Sequence, residues 1–88
     1  MKKLGIEFYF TLNQDEEAHE TSRIVISTYC DANNMELVYY REMNPPVPLV
    51  REVRVRAKSA GKIKKFFKDT NIEPENFFSG RRMRKRKQ

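Results

Sequence analysis

Tyrosine and arginine side chains occur together in stretches of the chain that are rich in strand-forming residues. Aromatic rings on a sheet stack on unpaired bases, and neighbouring guanidinium groups neutralise phosphate. Duplex DNA hides the faces of its bases, so such a surface favours single-stranded DNA or RNA. The predicted members of this surface are Tyr9, Arg23, Tyr29, Tyr40, Arg54 and Arg56.

The same side chains also fit two roles that involve no nucleic acid. Tyr, Val and Thr favour strands and pair across them, which requires no ligand. Tyr and Arg are also enriched in protein interfaces, so the surface equally suits a homodimer or another protein partner. The sequence leaves all three roles open.

Positive charge is concentrated in the C-terminal half. Residues 1–50 hold four Lys/Arg against eight acids, and residues 51–88 hold fourteen against four, within a formal charge of +6. This asymmetry indicates a polyanionic partner. The final run, GRRMRKRKQ, fits a phosphate-binding segment, a localisation signal or a solvated end, and its excess of arginine favours phosphate. The predicted basic contacts are Lys62, Lys64, Lys65 and Lys68, then Arg81, Arg82, Arg84, Lys85, Arg86 and Lys87. The four lysines also fit the solvated side of a helix.

The residues that most often catalyse reactions are few. His19 is the one histidine and stands beside acids in the stretch 13–21, where a general base or a metal ligand is conceivable. We predict instead an exposed loop residue, because this stretch has no apolar period. Cys30 is the one cysteine and is predicted to be a small buried side chain on a strand. The isolated glycines form no phosphate loop. We therefore predict no enzyme, no metal and no cofactor.

Length and composition set the class of protein. A chain of 88 residues, 39% of them hydrophobic, has room for one domain with a small core. Its apolar runs are shorter than the roughly 20 residues that cross a bilayer. Glu7 interrupts the apolar stretch that follows the two N-terminal lysines, unlike a signal peptide. We expect an intracellular protein, cytoplasmic or in the nucleus or nucleoid, that is not secreted and has no membrane partner.

Four stretches have the composition of strands: 4–12, 23–30, 35–43 and 49–57. Alternation places Phe8 and Phe10 in the core and Tyr9 outside. The same rule puts Tyr39 inside and Tyr40 outside. We expect the face that bears Tyr9, Tyr29 and Tyr40 to be uncovered.

After residue 57 the apolar period becomes helical. Ser59 suits the N-cap of an amphipathic helix, and Asn71 suits a left-handed C-terminal position. Pro74 is predicted to begin a short helical turn. The predicted fold is α+β, a four-stranded antiparallel meander followed by one helix on one face (β-β-β-β-α), with a domain over 1–79 and a disordered basic tail over 80–88. This order resembles the architecture of the single-stranded-DNA-binding transcriptional coactivator fold.

These features predict a small non-enzymatic protein that binds single-stranded DNA or RNA through the sheet surface, the helix lysines and the tail. The alternative is a protein-binding adaptor or inhibitor module, of the kind encoded by viruses or mobile elements, that uses the sheet surface or the acidic stretch 13–21.

Overall fold

The computed structural model describes residues 5–79; residues 1–4 and the predicted basic tail, 80–88, lie outside the described residues. The elements are β1 (Ile6–Asn13), α1 (Glu16–Ala32), β2 (Glu36–Glu42), β3 (Val50–Ala57), α2 (Ala60–Thr70) and β4 (Glu75–Ser79). The sheet has the order β2-β3-β1-β4 and its neighbouring strands are antiparallel. This β-α-β-β-α-β topology is the split β-α-β, or ferredoxin-like, arrangement.

One face of the sheet is covered by both helices and forms the core. Alternate residues of β1 and β3 point to this covered face, as predicted, because successive side chains of a strand face opposite sides. The buried core consists of Phe8, Phe10, Leu12, Ile26, Cys30, Met35, Val53, Val55, Ala57, Ile63 and Phe66. The predicted class, one small α+β domain with four antiparallel strands, is confirmed. The predicted order β-β-β-β-α is wrong, and so is the architectural resemblance based on it.

The largest difference is α1, where a loop over 13–21 and a strand over 23–30 were predicted. Asp15 caps this helix, since its carboxylate accepts a hydrogen bond of 2.8 Å from the Ala18 amide. Acidic residues in the first turn favour the positive end of the helix dipole. The buried residues of α1 are His19, Ser22, Ile26 and Cys30. Their spacing of three or four is helical, whereas the short window 23–30 also fits a strand.

Strand β2 contains an irregularity between Leu37 and Tyr39 that reverses the predicted faces. An extra residue in one strand switches the side on which every later side chain lies. Tyr39 is paired with Arg54, outside the core, and Tyr40 is paired with Val53, on the covered face. The predicted assignment of these two tyrosines is therefore wrong.

The segment after Pro74 is strand β4 and not a helical turn. Its residues pair with β1, whose edge would otherwise be left without hydrogen bonds. Buried Thr11 joins the two strands, because its hydroxyl donates to the Glu75 carbonyl at 3.1 Å and accepts from the side-chain amide of Asn76 at 3.3 Å. Helix α2 agrees with prediction in its bounds. Ser59 stands at its N-cap, although its side chain makes no capping hydrogen bond, and Asn71 ends the helix in a left-handed conformation with φ 61°.

Candidate nucleic-acid interface

We call the face of the sheet opposite the two helices the open face. It is formed by the residues that alternate with the core positions of the strands. Its principal members are Glu7, Tyr9, Tyr39, Arg41, Glu52, Arg54, Arg56 and Phe78. Of the predicted binding residues, the structure thus places Tyr9, Arg54 and Arg56 on this face.

Aromatic rings from three strands lie on the open face. Tyr9 and Phe78 have ring centroids 6.1 Å apart, and Phe78 is 58% exposed. The Tyr39 ring is covered by the Arg41 guanidinium, whose Cζ is 3.7 Å from the ring centroid. The Arg54 guanidinium lies between the two groups, 5.7 Å from the Tyr9 ring and 5.5 Å from the Tyr39 ring. Aromatic rings thus lie on both sides of Arg54.

The arginines of the open face are paired with carboxylates. Glu7 accepts from Arg54 at 2.6 Å and from Arg56 at 2.8 Å. Glu52 accepts from Arg41 at 2.9 Å and from the Tyr9 hydroxyl at 3.0 Å. A longer contact of 3.3 Å joins Arg56 to Glu36. The charges on this face are therefore balanced, and a phosphate would have to compete with a carboxylate for each guanidinium.

The ionisation of these groups follows from the same contacts. Hydrogen bonds from Arg56 and Arg54 lower the pKa of the Glu7 carboxyl. Burial, followed by the hydrogen bond to Glu52, raises the pKa of Tyr9. At neutral pH Glu7 is an anion and Tyr9 is a neutral hydrogen-bond donor.

Three predicted members of the surface lie elsewhere, because their segments have a different structure from the predicted one. Tyr29 is on α1, where its hydroxyl donates to Asp69 at 2.9 Å and its ring meets Phe66 edge-on. Arg23 is also on α1 and pairs with Glu20. Tyr40 faces α1 from the covered side of β2. The predicted open face with Tyr9, Tyr29 and Tyr40 together is wrong.

His19 is buried, with 4% of its surface exposed, contrary to the predicted exposed loop. Its Nε2 is 2.8 Å from the Leu49 carbonyl, and its Nδ1 is 2.6 Å from the Tyr40 hydroxyl. A carbonyl only accepts, so Nε2 carries a proton, and in the neutral imidazole Nδ1 then accepts from the Tyr40 hydroxyl. Leu49 also accepts from the Gln14 amide at 2.9 Å. The imidazole therefore fastens the β2–β3 connection to α1.

Cys30 is buried, as predicted, although on a helix and not on a strand. Burial raises the pKa of its thiol to about 11, with a smaller contribution from Asp31. A thiol in this state is a poor nucleophile at neutral pH. Its role within the described fold is packing.

The four predicted lysines belong to α2, in the helical layer behind the sheet. Lys62 donates to the Asn33 carbonyl at 3.1 Å, and Lys65 is 3.2 Å from Asp69. Lys64 and Lys68 are exposed. A strand lying on the open face would not reach them without passing around the sheet. The remaining predicted contacts, Arg81, Arg82, Arg84, Lys85, Arg86 and Lys87, lie outside the described residues.

Sequence reasoning missed Tyr39, Arg41 and Phe78. A signal was available, since Tyr39 and Phe78 each belong to a pair of adjacent aromatic residues. In regular strand one member of such a pair must face away from the core. The doublets Tyr39–Tyr40 and Phe77–Phe78 therefore indicate an outward ring even where the register is uncertain.

The described domain is not basic as a whole. Residues 5–79 contain ten Lys/Arg and twelve Asp/Glu, a net charge of −2, whereas residues 1–4 and 80–88 contain eight Lys/Arg and no acid. The positive charge of the chain thus comes from its two terminal segments.

No protein-family model, curated protein or solved structure matches the chain. Within residues 5–79, no group of three or more His, Cys, Asp or Glu side chains is arranged to hold a metal ion. Neither described helix combines the length and the apolar composition needed to cross a bilayer.

Proposed function

We propose that this chain is a small, non-enzymatic protein that binds single-stranded DNA or RNA. The observation that carries the proposal is the set of rings contributed by three strands, Tyr9, Tyr39 and Phe78, on the open face. Bases stack on such rings because both surfaces are flat and polarisable, at roughly 1–3 kcal/mol per base. The stacking is insensitive to base identity and requires unpaired bases.

The charges support a division of roles between the sheet and the tail. Carboxylates already occupy the arginines of the open face, so the sheet is suited to bases more than to phosphates. The basic run begins at Arg81, three residues after Phe78 in the chain. In this proposal the sheet holds bases, and Arg81, Arg82, Arg84, Lys85, Arg86 and Lys87 neutralise the phosphates beside them.

The test is fluorescence anisotropy with labelled oligo-U and oligo-dT of about 12 nucleotides, within the usual range of single-strand sites. Phe78→Ala and Tyr39→Ala are each expected to weaken binding by about 5- to 150-fold, the equivalent of roughly 1–3 kcal/mol. Duplex of the same length should bind more weakly and respond less to these variants. The two oligonucleotides distinguish DNA from RNA.

Ile24→Ala is the matched control, because it also removes an exposed apolar side chain but lies on α1. It should bind both oligonucleotides as the unaltered chain does. If Phe78→Ala and Tyr39→Ala also bind normally, the open face is not a base platform and the proposal fails.

A second function, protein binding through the same face, is favoured by the balanced charges. Three carboxylates that interleave with three arginines discourage a polyanion and suit a protein surface or a second copy of the chain. Sedimentation velocity separates the two functions. The second function would be supported if the chain forms a dimer that Phe78→Ala converts to a monomer and if the chain binds no oligonucleotide.

A further inference from the structure

Helix α1 carries apolar side chains on its solvent side. Ile24 is 56% exposed and Val25 is 37% exposed, and exposed Thr28 and Ala32 follow at helical spacing. Other residues of α1, Ile26 and Cys30 among them, form the face that packs on the sheet. A surface helix normally presents polar side chains to solvent, so this stripe requires a physical reason of its own.

The stripe forms one wall of a groove between α1 and α2, the α1–α2 groove. A cleft of about 480 Å³ lies between the stripe and the end of α2, at Asp69 and Thr70. A second cleft, of about 500 Å³, extends past Val25 and Thr70 to Ile72 and Glu73. Because Val25 and Thr70 line both clefts, the two clefts form one continuous groove.

Two carboxylates line the α1–α2 groove. Among the described residues that line the two clefts, Asp69 and Glu73 are acidic and none is Lys or Arg. Hydrogen bonds from Tyr29 and then Lys65 lower the pKa of the Asp69 carboxyl. Asp69 is therefore ionised but already paired with Lys65, at 3.2 Å, and Glu73 is the carboxylate that a docked cation would approach. Helix α2 ends at Thr70, so the negative end of its dipole lies in the same wall.

We infer that the α1–α2 groove docks a partner protein, through a segment that combines aliphatic side chains with Lys or Arg. The aliphatic side chains bury the stripe around Ile24 and Val25, and the cations approach Glu73. This is the way in which amphipathic helices occupy grooves, with anchors at helical spacing. A nucleic acid is disfavoured by the carboxylates. The groove belongs to the helical layer, so it is separate from the open face and does not depend on the proposed function.

The experiment uses the full chain labelled with ¹⁵N and a fluorescent peptide of about 14 residues, nearly four helical turns, composed of Leu on one helical face and Lys on the other. We expect amide shifts at the groove residues and at none of the open-face residues. Ile24→Glu should weaken peptide binding by about tenfold or more, the usual cost of losing a central apolar anchor. Val25→Thr, which keeps the shape of the side chain and adds no charge, should weaken binding in the same direction.

Charge is tested with a matched pair of variants. Glu73→Lys, in the groove, should weaken binding. Glu42→Lys makes the same change at an exposed position at the end of β2 and should not weaken it. A peptide with Glu in place of Lys should not bind. Phe78→Ala should bind the Leu/Lys peptide normally, so failure of the groove and failure of the open face are distinguishable.

Three results would overturn the inference. Equal binding by Ile24→Glu, Val25→Thr and the unaltered chain would show that the peptide lies elsewhere. If the peptide GRRMRKRKQ, which has one apolar residue, binds as tightly as the Leu/Lys peptide, then charge alone determines binding. Self-association that Ile24→Glu abolishes would identify the occupant as a second copy of the chain.

Discussion

The open and covered faces of the sheet both carry tyrosines, and the neighbours Tyr39 and Tyr40 illustrate the difference between them. The Tyr40 hydroxyl is bound to His19, and its ring meets the imidazole edge-on. The Tyr39 hydroxyl accepts from Arg54 at 3.1 Å, and the Tyr39 ring lies under the guanidinium of Arg41, which is more than half exposed. Both hydroxyls thus have a partner within the protein, and the two tyrosines differ in the surroundings of their rings, since Tyr40 packs against the core. On the open face Phe78 is 58% exposed, and the guanidinium that covers the Tyr39 ring is itself more than half exposed, so changes there should affect binding more than folding.

The largest expected effect concerns residues 81–88, because the proposed function assigns phosphate binding to them and not to the open face. Removing them should weaken binding to all sequences alike. If all six charges contact a single strand, the slope of log K against log salt should flatten by up to about 4, at roughly 0.7 per charge. Titrations at several salt concentrations measure this slope.

Tyr39→Ala serves as the control for the removal of residues 81–88, since base stacking depends little on salt concentration. It should lower affinity while leaving the slope nearly intact. A truncated chain that retains the full slope would show that the arginines of the open face bind phosphate despite their carboxylate partners.

The covered face should respond to mutation through stability. Phe66 is fully buried and its ring contacts Phe10, Phe67 and Tyr29. Phe66→Ala should lower the free energy of unfolding by about 3–5 kcal/mol, because it removes buried apolar surface and leaves a cavity. Urea denaturation checks this. Phe78→Ala, the exposed counterpart, should cost much less stability; equal losses would contradict the distinction between the faces.

Sequence reasoning succeeded where one physical signal dominated. In β1 and β3, alternation separates Phe8 and Phe10 from Tyr9, and in α2 the helical period and Asn71 both agree with the structure. It failed for α1 because β-branched residues over 23–30 favour a strand locally, while the deciding pattern of buried residues begins earlier, at His19. Local propensity is weaker than the packing of a whole amphipathic face.

The membership of the open face was predicted in part for the same reasons. Tyr9, Arg54 and Arg56 belong to regular strands, so alternation placed them correctly. Tyr39 depends on an irregularity that the pattern does not reveal, and Phe78 depends on pairing between segments more than sixty residues apart. The pairing of arginines with Glu7 and Glu52 requires knowledge of which strands are adjacent.

A smaller loss of stability is expected for His19→Ala. The change leaves the Tyr40 hydroxyl without its acceptor and deprives Leu49 of one donor, which typically costs about 1–3 kcal/mol. Oligonucleotide affinity should be unchanged, because His19 lies on the covered side of the sheet. Urea denaturation and the anisotropy assay measure the two quantities. Loss of an RNA-cleaving activity in this variant alone would show a catalytic role and contradict a binding-only function.

The smallest expected effect is the contribution of the Glu7 carboxyl to the pH dependence of the free energy of unfolding. It tests whether the charges of the open face interact strongly. Arg56 and Arg54 lower the pKa of this carboxyl below its ordinary value of 4.5. The unfolded chain therefore takes up the proton at a higher pH than the folded chain does. The stability contributed by Glu7 is present above the unfolded pKa and is lost as the pH falls through the folded pKa.

Glu7→Gln isolates this contribution, because the amide keeps the shape of the side chain and does not titrate in this range. Between about pH 5 and pH 2 the urea midpoint should fall more steeply for the unaltered chain than for Glu7→Gln. Asp69 also has a lowered pKa, but it is present in both proteins and cancels in the difference. High salt should reduce the difference, since the three groups are partly exposed. Identical acid profiles would mean that Glu7 does not hold Arg54 and Arg56 in solution, and these guanidiniums would then be available to phosphate.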